Sequence, residues 1–108
     1  MFPRSSRLRR SHDILTVFRR GSRRSHGPLT CYLFPTVKDG HRVAVIVDKK
    51  VSKLAVERNV VKRRIRAALK ECSLPQGNLV VKAHTGSVDL SYQSIRDSLS
   101  SCLRVLSR

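Results

Sequence analysis

Arg58-Asn59-Val60-Val61-Lys62-Arg63-Arg64-Ile65-Arg66 places five cations and one amide in nine residues. At 3.6 residues per turn, Arg58, Lys62 and Arg66 stack at i, i+4 and i+8 on one side of a helix. Asn59, Arg63 and Lys70 fall on the adjoining side, and the set covers an arc of roughly 140°. Val61, Ile65, Ala68, Leu69 and Cys72 lie opposite. The pattern predicts a helix from Ala55 to Cys72 with one face for a core and one for phosphates. Arg64 sits off the basic arc, toward Val60 and Ala67, and is the cation of this stretch least expected to matter. Like charges at i and i+4 repel in an isolated helix, so a polyanion that relieves the repulsion is the expected partner.

The flanks set this helix in a fold. Upstream, Leu29 to Thr36 read as a strand, with Leu29, Cys31 and Leu33 on one face and Thr30, Tyr32 and Phe34 on the other. Lys38-Asp39-Gly40-His41 is a hairpin turn signal. Arg42 to Val47 then form the returning strand, with Val43, Val45 and Val47 on one face, and a lysine-rich connection follows over Asp48 to Leu54. Downstream, Pro75-Gln76-Gly77-Asn78 is a turn and Leu79 to His84 a short strand. Ser91 caps a last helix whose apolar stripe is Tyr92, Ile95, Leu99, Cys102, Leu103 and Leu106.

Residues 1–10 read as an irregular basic arm. Ser11 caps a short helix with Asp13 in its first turn, Ile14, Leu15, Val17 and Phe18 give it an apolar side, and Gly21 ends it. Residues 22–28 read as a basic turn. The element order is α-β-β-α-β-α, which predicts a single domain over 1–108: an α/β (α+β) two-layer sandwich with helices packed on one sheet.

The charge is concentrated. The chain has 23 Lys and Arg against 7 Asp and Glu, a net charge of +16. Residues 1–26 and 49–70 together hold 17 of the 23 cations, whereas 71–108 carry four cations and three acids. Solubilising charge would be scattered; two blocks suit a binding footprint for nucleic acid or another polyanion. A salt-bridged solvent face would mix signs, but Glu57 is the only acid within 49–70.

No catalytic constellation stands out. The seven carboxylates form no local two-metal pattern, and His12, His26, His41 and His84 are isolated in sequence. Cys31, Cys72 and Cys102 are too widely spaced for a zinc motif and read as reduced, mostly buried thiols of a cytoplasmic protein. No apolar run approaches the ~20 residues of a membrane span, and no h-region follows the arginine-rich start. The expectation is no catalytic residue, no metal ligand and no cofactor in the chain itself. Phe18 and Tyr32 are aromatics beside basic segments, suited either to core packing or to stacking on unpaired bases, while the pattern of Phe34 favours core.

The segment from Lys49 to Arg66 resembles the signature of the bacterial ribonuclease P protein subunit. In that family a lysine-rich connection leads to Ala-Val-x-Arg-Asn-x-x-Lys-Arg-x-x-Arg, matched here by Ala55, Val56, Arg58, Asn59, Lys62, Arg63 and Arg66. Arg7-Leu8-Arg9 with Asp13, Val17, Phe18 and Gly21 looks like the family's N-terminal region, and Arg42-Val43 before Lys49-Lys50 also fits. Ile14 stands where an aromatic is frequent, Ala44 replaces a common glycine, and the connection at Val51 to Leu54 is one residue longer than in many members.

The resemblance implies a ribosomal protein S5 domain 2-like fold with a left-handed βαβ crossover, and a helix after the crossover that binds the catalytic RNA. By position, Arg58, Asn59, Lys62, Arg63 and Arg66 would face that RNA, with Arg7, Arg9, Arg10, Lys49, Lys50 and Lys53 as secondary basic contacts. Phe18 and Tyr32 would line a cleft between the first helix and the sheet for the 5′ leader of precursor tRNA. Magnesium on the RNA would do the hydrolysis, and the protein, inactive alone and monomeric, would bind two RNAs. The rival readings are a ribosomal or general RNA-binding protein without a processing role, a self-sufficient nuclease, and a basic membrane-surface or DNA-binding module.

Overall fold

The computed structural model describes residues 11–35, 41–72, 74 and 77–106. The arm with Arg7, Arg9 and Arg10, the turn residues 38–40 and Pro75-Gln76 lie outside the described residues. The elements are α1 (Ser11–Arg20), β1 (Ser22–His26), β2 (Leu29–Phe34), β3 (His41–Val47), α2 (Ala55–Glu71), β4 (Gly77–Ala83) and α3 (Tyr92–Leu106), with a 3-10 turn at Ser87–Asp89. The strands form one mixed sheet in the order β1-β2-β4-β3, antiparallel except for the parallel pair β3 and β4.

Two local expectations are corrected. The segment read as a basic turn contains a strand, β1, paired with β2 from Ser22↔Leu33 to His26↔Leu29. Only Gly27 and Pro28 join the two strands, and Gly27 sits at φ +59. A positive φ followed by the fixed φ of proline suits the tight primed turn that matches strand twist. Secondly, β2 and β3 do not form a hairpin, because β4 lies between them. Leu79, Val80 and Val81 explain why: all are at most 1% exposed, so β4 is covered on both faces and takes an interior position. As a result α2 is itself the crossover between parallel neighbours β3 and β4, not an element following one.

The main core lies between one face of the sheet and the pair α2 and α3. Leu29, Cys31, Leu33, Val43, Val47, Leu79, Val81 and Ala83 supply the sheet side. Val61, Ile65, Ala68 and Leu69 supply α2, and Ile95, Leu99, Cys102 and Leu103 supply α3. The predicted stripes of both helices are therefore the buried ones. Ser91 caps α3 as its sequence suggests: its Oγ accepts the Ser94 N–H at 3.1 Å. A smaller cluster, Val17 with Ala44 and Val80, holds α1 across the opposite face.

Gly21 closes α1 at a point where nothing larger fits. Its N–H donates to the Val17 carbonyl at 2.8 Å. A Cβ there would stand 2.5 Å from the Val17 oxygen and 2.9 Å from the Leu33 oxygen. This contact brings the end of α1 down onto β2 before the chain turns into β1.

Replacing Ile65, fully buried between α2 and the sheet, with Ala is expected to cost about 2–5 kcal/mol. Urea unfolding measures it; a loss below about 1 kcal/mol would contradict the assigned core.

Candidate nucleic-acid interface

The apolar stripe of α2 is turned inward, so geometry sends its cations outward. Asn59, Arg63 and Lys70 are exposed, and Arg58, Lys62 and Arg66 are half-buried, as expected when long stems lie along the helix and charged heads reach water. Among the described residues, no carboxylate lies within ion-pair distance of Arg58, Lys62, Arg63 or Arg66. Glu57, the nearby acid, accepts a hydrogen bond from the Ser52 hydroxyl at 2.7 Å. The four cations and Asn59 thus form one continuous face, as the spacing predicts.

Arg64 behaves differently. Its guanidinium donates to the backbone carbonyls of Val88 and Leu90 at 3.3 and 3.1 Å. It ties α2 to the segment ahead of α3 and points away from the basic face.

The lysine-rich connection is shaped by polar caps. The Asp48 carboxylate accepts the Lys50 N–H at 2.9 Å, a local turn that leaves Lys49 and Lys50 exposed. Leu54, at the N-cap, offers no side-chain cap. Ser52 serves instead: its Oγ accepts the Leu54 N–H at 3.1 Å, and its carbonyl accepts the Arg58 guanidinium at 2.8 Å. Lys53 is exposed beside them, so the connection and the first turns of α2 present one cationic surface.

A second surface lies on the other side of the sheet, beneath α1. Phe18 and Tyr32 meet edge to face there, with ring centroids 4.7 Å apart and planes at 86°. Both are half-buried against the Val17, Ala44 and Val80 cluster, with Ile14, Phe34 and Ile46. Phe34 therefore belongs to the same aromatic wall and not to the main core. Ile14 and Ala44, the departures from the family pattern, both pack in this cluster.

Register adds cations to this wall that the sequence reading left out. Directly paired residues share a face. Arg23 pairs with Tyr32, Lys82 with Thr30, and Asn78 with both Phe34 and Arg42. Thr30, 3% exposed, joins Ser25 Oγ at 2.9 Å and His84 Nε2 at 2.7 Å. Arg42 and Lys82 share strand parity with residues under α1, Ala44 and Val80, but parity alone does not say which face α1 covers. Arg23 was not recoverable, because β1 was not recognised as a strand.

The three cysteines are free thiols. Cys31 and Cys102 share the main core. The neighbouring Cys102 thiol and burial push the Cys31 thiol far up, while Cys102 is lowered by its interaction with Cys31 and, to a lesser extent, by Arg24. Among the described residues, no three His, Cys, Asp or Glu side chains come together as a metal site. No described helix is long and apolar enough to cross a membrane.

A protein-family model for Ribonuclease P matches residues 2–107. The ribonuclease P protein component of Pseudanabaena sp. is 36% identical over 107 residues, covering 95% of this chain and 92% of that protein. That of Streptomyces avermitilis is 35% identical over 118 residues, covering 98% and 95%. The fold is similar to those of the RNase P proteins of Staphylococcus aureus, with a TM-score of 0.83, and Thermotoga maritima, with 0.78. Both are 24% identical, and the matches cover 93% and 94% of this chain and 94% and 96% of those chains.

Two neighbouring arginines on α2 should separate cleanly. Arg64→Ala is expected to lower stability by about 1–3 kcal/mol, since it strands two carbonyls. Arg63→Ala should leave stability within about 0.5 kcal/mol, as expected of a surface change. Thermal melting of the two variants side by side is the check; equal losses would contradict the assignment.

Proposed function

Because the chain belongs to the ribonuclease P protein family, as a subunit of that ribonucleoprotein nuclease and a partner of its RNA, we propose that its two cationic surfaces hold two RNAs at once. The outer face of α2 docks on the catalytic RNA through Arg58, Asn59, Lys62, Arg63 and Arg66. Lys49, Lys50 and Lys53 add phosphate contacts, as do Arg7, Arg9 and Arg10. The cleft under α1 receives the single-stranded 5′ leader of precursor tRNA, with bases stacked on Phe18 and Tyr32 and phosphates near Arg23, Arg42 and Lys82.

One observation carries this reading: α2 packs on one face of the sheet and the aromatic cleft opens on the other. Ligands on the two surfaces need not compete, and a cationic body between two RNAs lowers their mutual repulsion. In this reading the chain acts as a cytoplasmic monomer that binds and positions. Magnesium held on the catalytic RNA would supply the hydrolytic chemistry that frees the leader and leaves the mature tRNA 5′ end.

Arg58→Ala combined with Lys62→Ala should lower affinity for the catalytic RNA by about tenfold or more at moderate salt while the protein stays folded. Filter binding with a parallel melting curve decides; unchanged affinity in a folded double variant would refute the docking face. Wild-type affinity should fall by orders of magnitude from low to moderate salt.

Phe18→Ala should weaken binding of precursor tRNA by about 1–3 kcal/mol per lost base stack and leave leaderless tRNA unaffected. Equal losses for both would remove the cleft from the account. Cleavage of 5′-labelled precursor tRNA by protein, RNA and their mixture tests the division of labour. Correct cleavage by the protein alone would make the chain a nuclease in its own right.

A further inference from the structure

A groove of about 210 Å³ runs between β1 and α3, on the side of the sheet away from the aromatic cleft. Arg24, Ser25 and His26 form one wall, Ser101 and Arg104 the other, and Cys102 and Val105 complete the lining. Among the described residues, no acid lines it. The imidazole of His26 is held by Ser98 Oγ at 3.1 Å, so that wall is fixed to α3. Two arginines from different elements converge on a space that also offers hydroxyl and apolar surface. That is the composition that suits a phosphodiester with its ribose.

The position of β1 links this groove to the cleft. β1 is an edge strand, all five of its residues are exposed, and no described strand pairs with its outer edge. Strand alternation sends neighbouring side chains to opposite faces. Arg23 pairs with Tyr32 on the cleft face, whereas Arg24 pairs with Cys31 on the α3 face. Consecutive Cα atoms are about 3.8 Å apart, so a strand of RNA leaving the cleft beside Arg23 rounds one polypeptide strand to meet Arg24. Charge alone would guard an edge strand against unwanted pairing. Guarding does not require a second arginine, Arg104 on α3, to face the same space.

We propose that the β1–α3 groove is a phosphodiester site for the 5′-distal part of the precursor tRNA leader, entered after the leader has crossed the aromatic cleft and rounded β1. The proposal rests on the cleft being the leader site. It makes Arg24 and Arg104 determinants of how leader length affects affinity.

The test is equilibrium binding of precursor tRNAs whose leaders are lengthened one nucleotide at a time, using protein reconstituted with its catalytic RNA. Wild-type affinity should climb in two stages, the second appearing only once the leader is long enough to leave the cleft. Arg24→Ala and Arg104→Ala should each abolish part of the second stage. The expected loss is roughly three- to tenfold for long leaders, between the values for exposed and desolvated charge pairs, with none for short ones. Melting curves confirm that each variant is folded.

A second measurement leaves the protein unchanged. Single neutral methylphosphonate linkages are placed along the leader. Losses should occur at distal linkages and vanish in Arg24→Ala. Identical length profiles in wild type and both variants would overturn the proposal, as would an equal loss for leaderless tRNA or for catalytic RNA alone. If the wild-type protein shows no leader dependence and Phe18→Ala changes nothing, the cleft reading fails and the groove with it. A second stage that survives both arginine changes sinks the groove alone.

Discussion

Burial of the α2 stripe against the sheet is the contact on which the rest of the molecule depends. Val61, Ile65, Ala68 and Leu69 are all fully buried. The larger three are worth about 1.5–3 kcal/mol each when removed from water. The repulsions they must offset are smaller: a few tenths of a kcal/mol for each like-charged i,i+4 pair, and up to about 1 kcal/mol for a cation such as Arg58 near the positive end of the helix dipole. Glu57 in the first turn and the Ser52 carbonyl reduce the latter cost locally. The apolar term wins by several-fold, so α2 can carry an almost purely cationic outer face and remain a helix before any RNA arrives.

The same balance explains where α2 sits. A crossover helix between two parallel neighbours lies flat on the sheet along its length, so its full buried stripe meets the core. β4 supports this from within. Leu79 and Val81 face α2 and α3, while Val80 faces α1. One strand therefore separates the two surfaces, and a change in β4 would disturb both.

Legibility in the sequence followed periodicity. The α2 basic arc, its buried stripe, the α3 stripe and the alternation in β2 could be read because 3.6- and 2-residue repeats depend on local chain geometry. Arg64 could be set apart from Arg63 on angle alone, and its bonds to Val88 and Leu90 agree. Pairing partners were not legible. The signal at Lys38-Asp39-Gly40-His41 says that the chain turns, not that the flanking strands remain neighbours after β4 inserts between them. β1, with the sequence SRRSH, has no apolar residue to alternate and is a strand because Gly27-Pro28 folds it onto β2. Missing β1 concealed Arg23 and the whole β1–α3 groove. Arg42 and Lys82 were overlooked for a different reason: which face of the sheet α1 covers is a tertiary fact.

The two surfaces also differ in how firmly they are held. α2 is anchored by the main core, whereas α1 rests on three buried residues, Val17, Ala44 and Val80, and a partly exposed aromatic rim. The edge-to-face contact of Phe18 with Tyr32 contributes about 0.5–1.5 kcal/mol beyond its buried area. Stacking a base on such a ring is worth about 1–3 kcal/mol. A base can therefore replace part of the ring–ring contact without net loss, and the half-exposed rings need not be torn from a packed core to meet it. In the proposed reading, a rigid cationic helix suits a structured RNA that stays bound, and a lightly held aromatic cleft suits a single strand that enters and leaves.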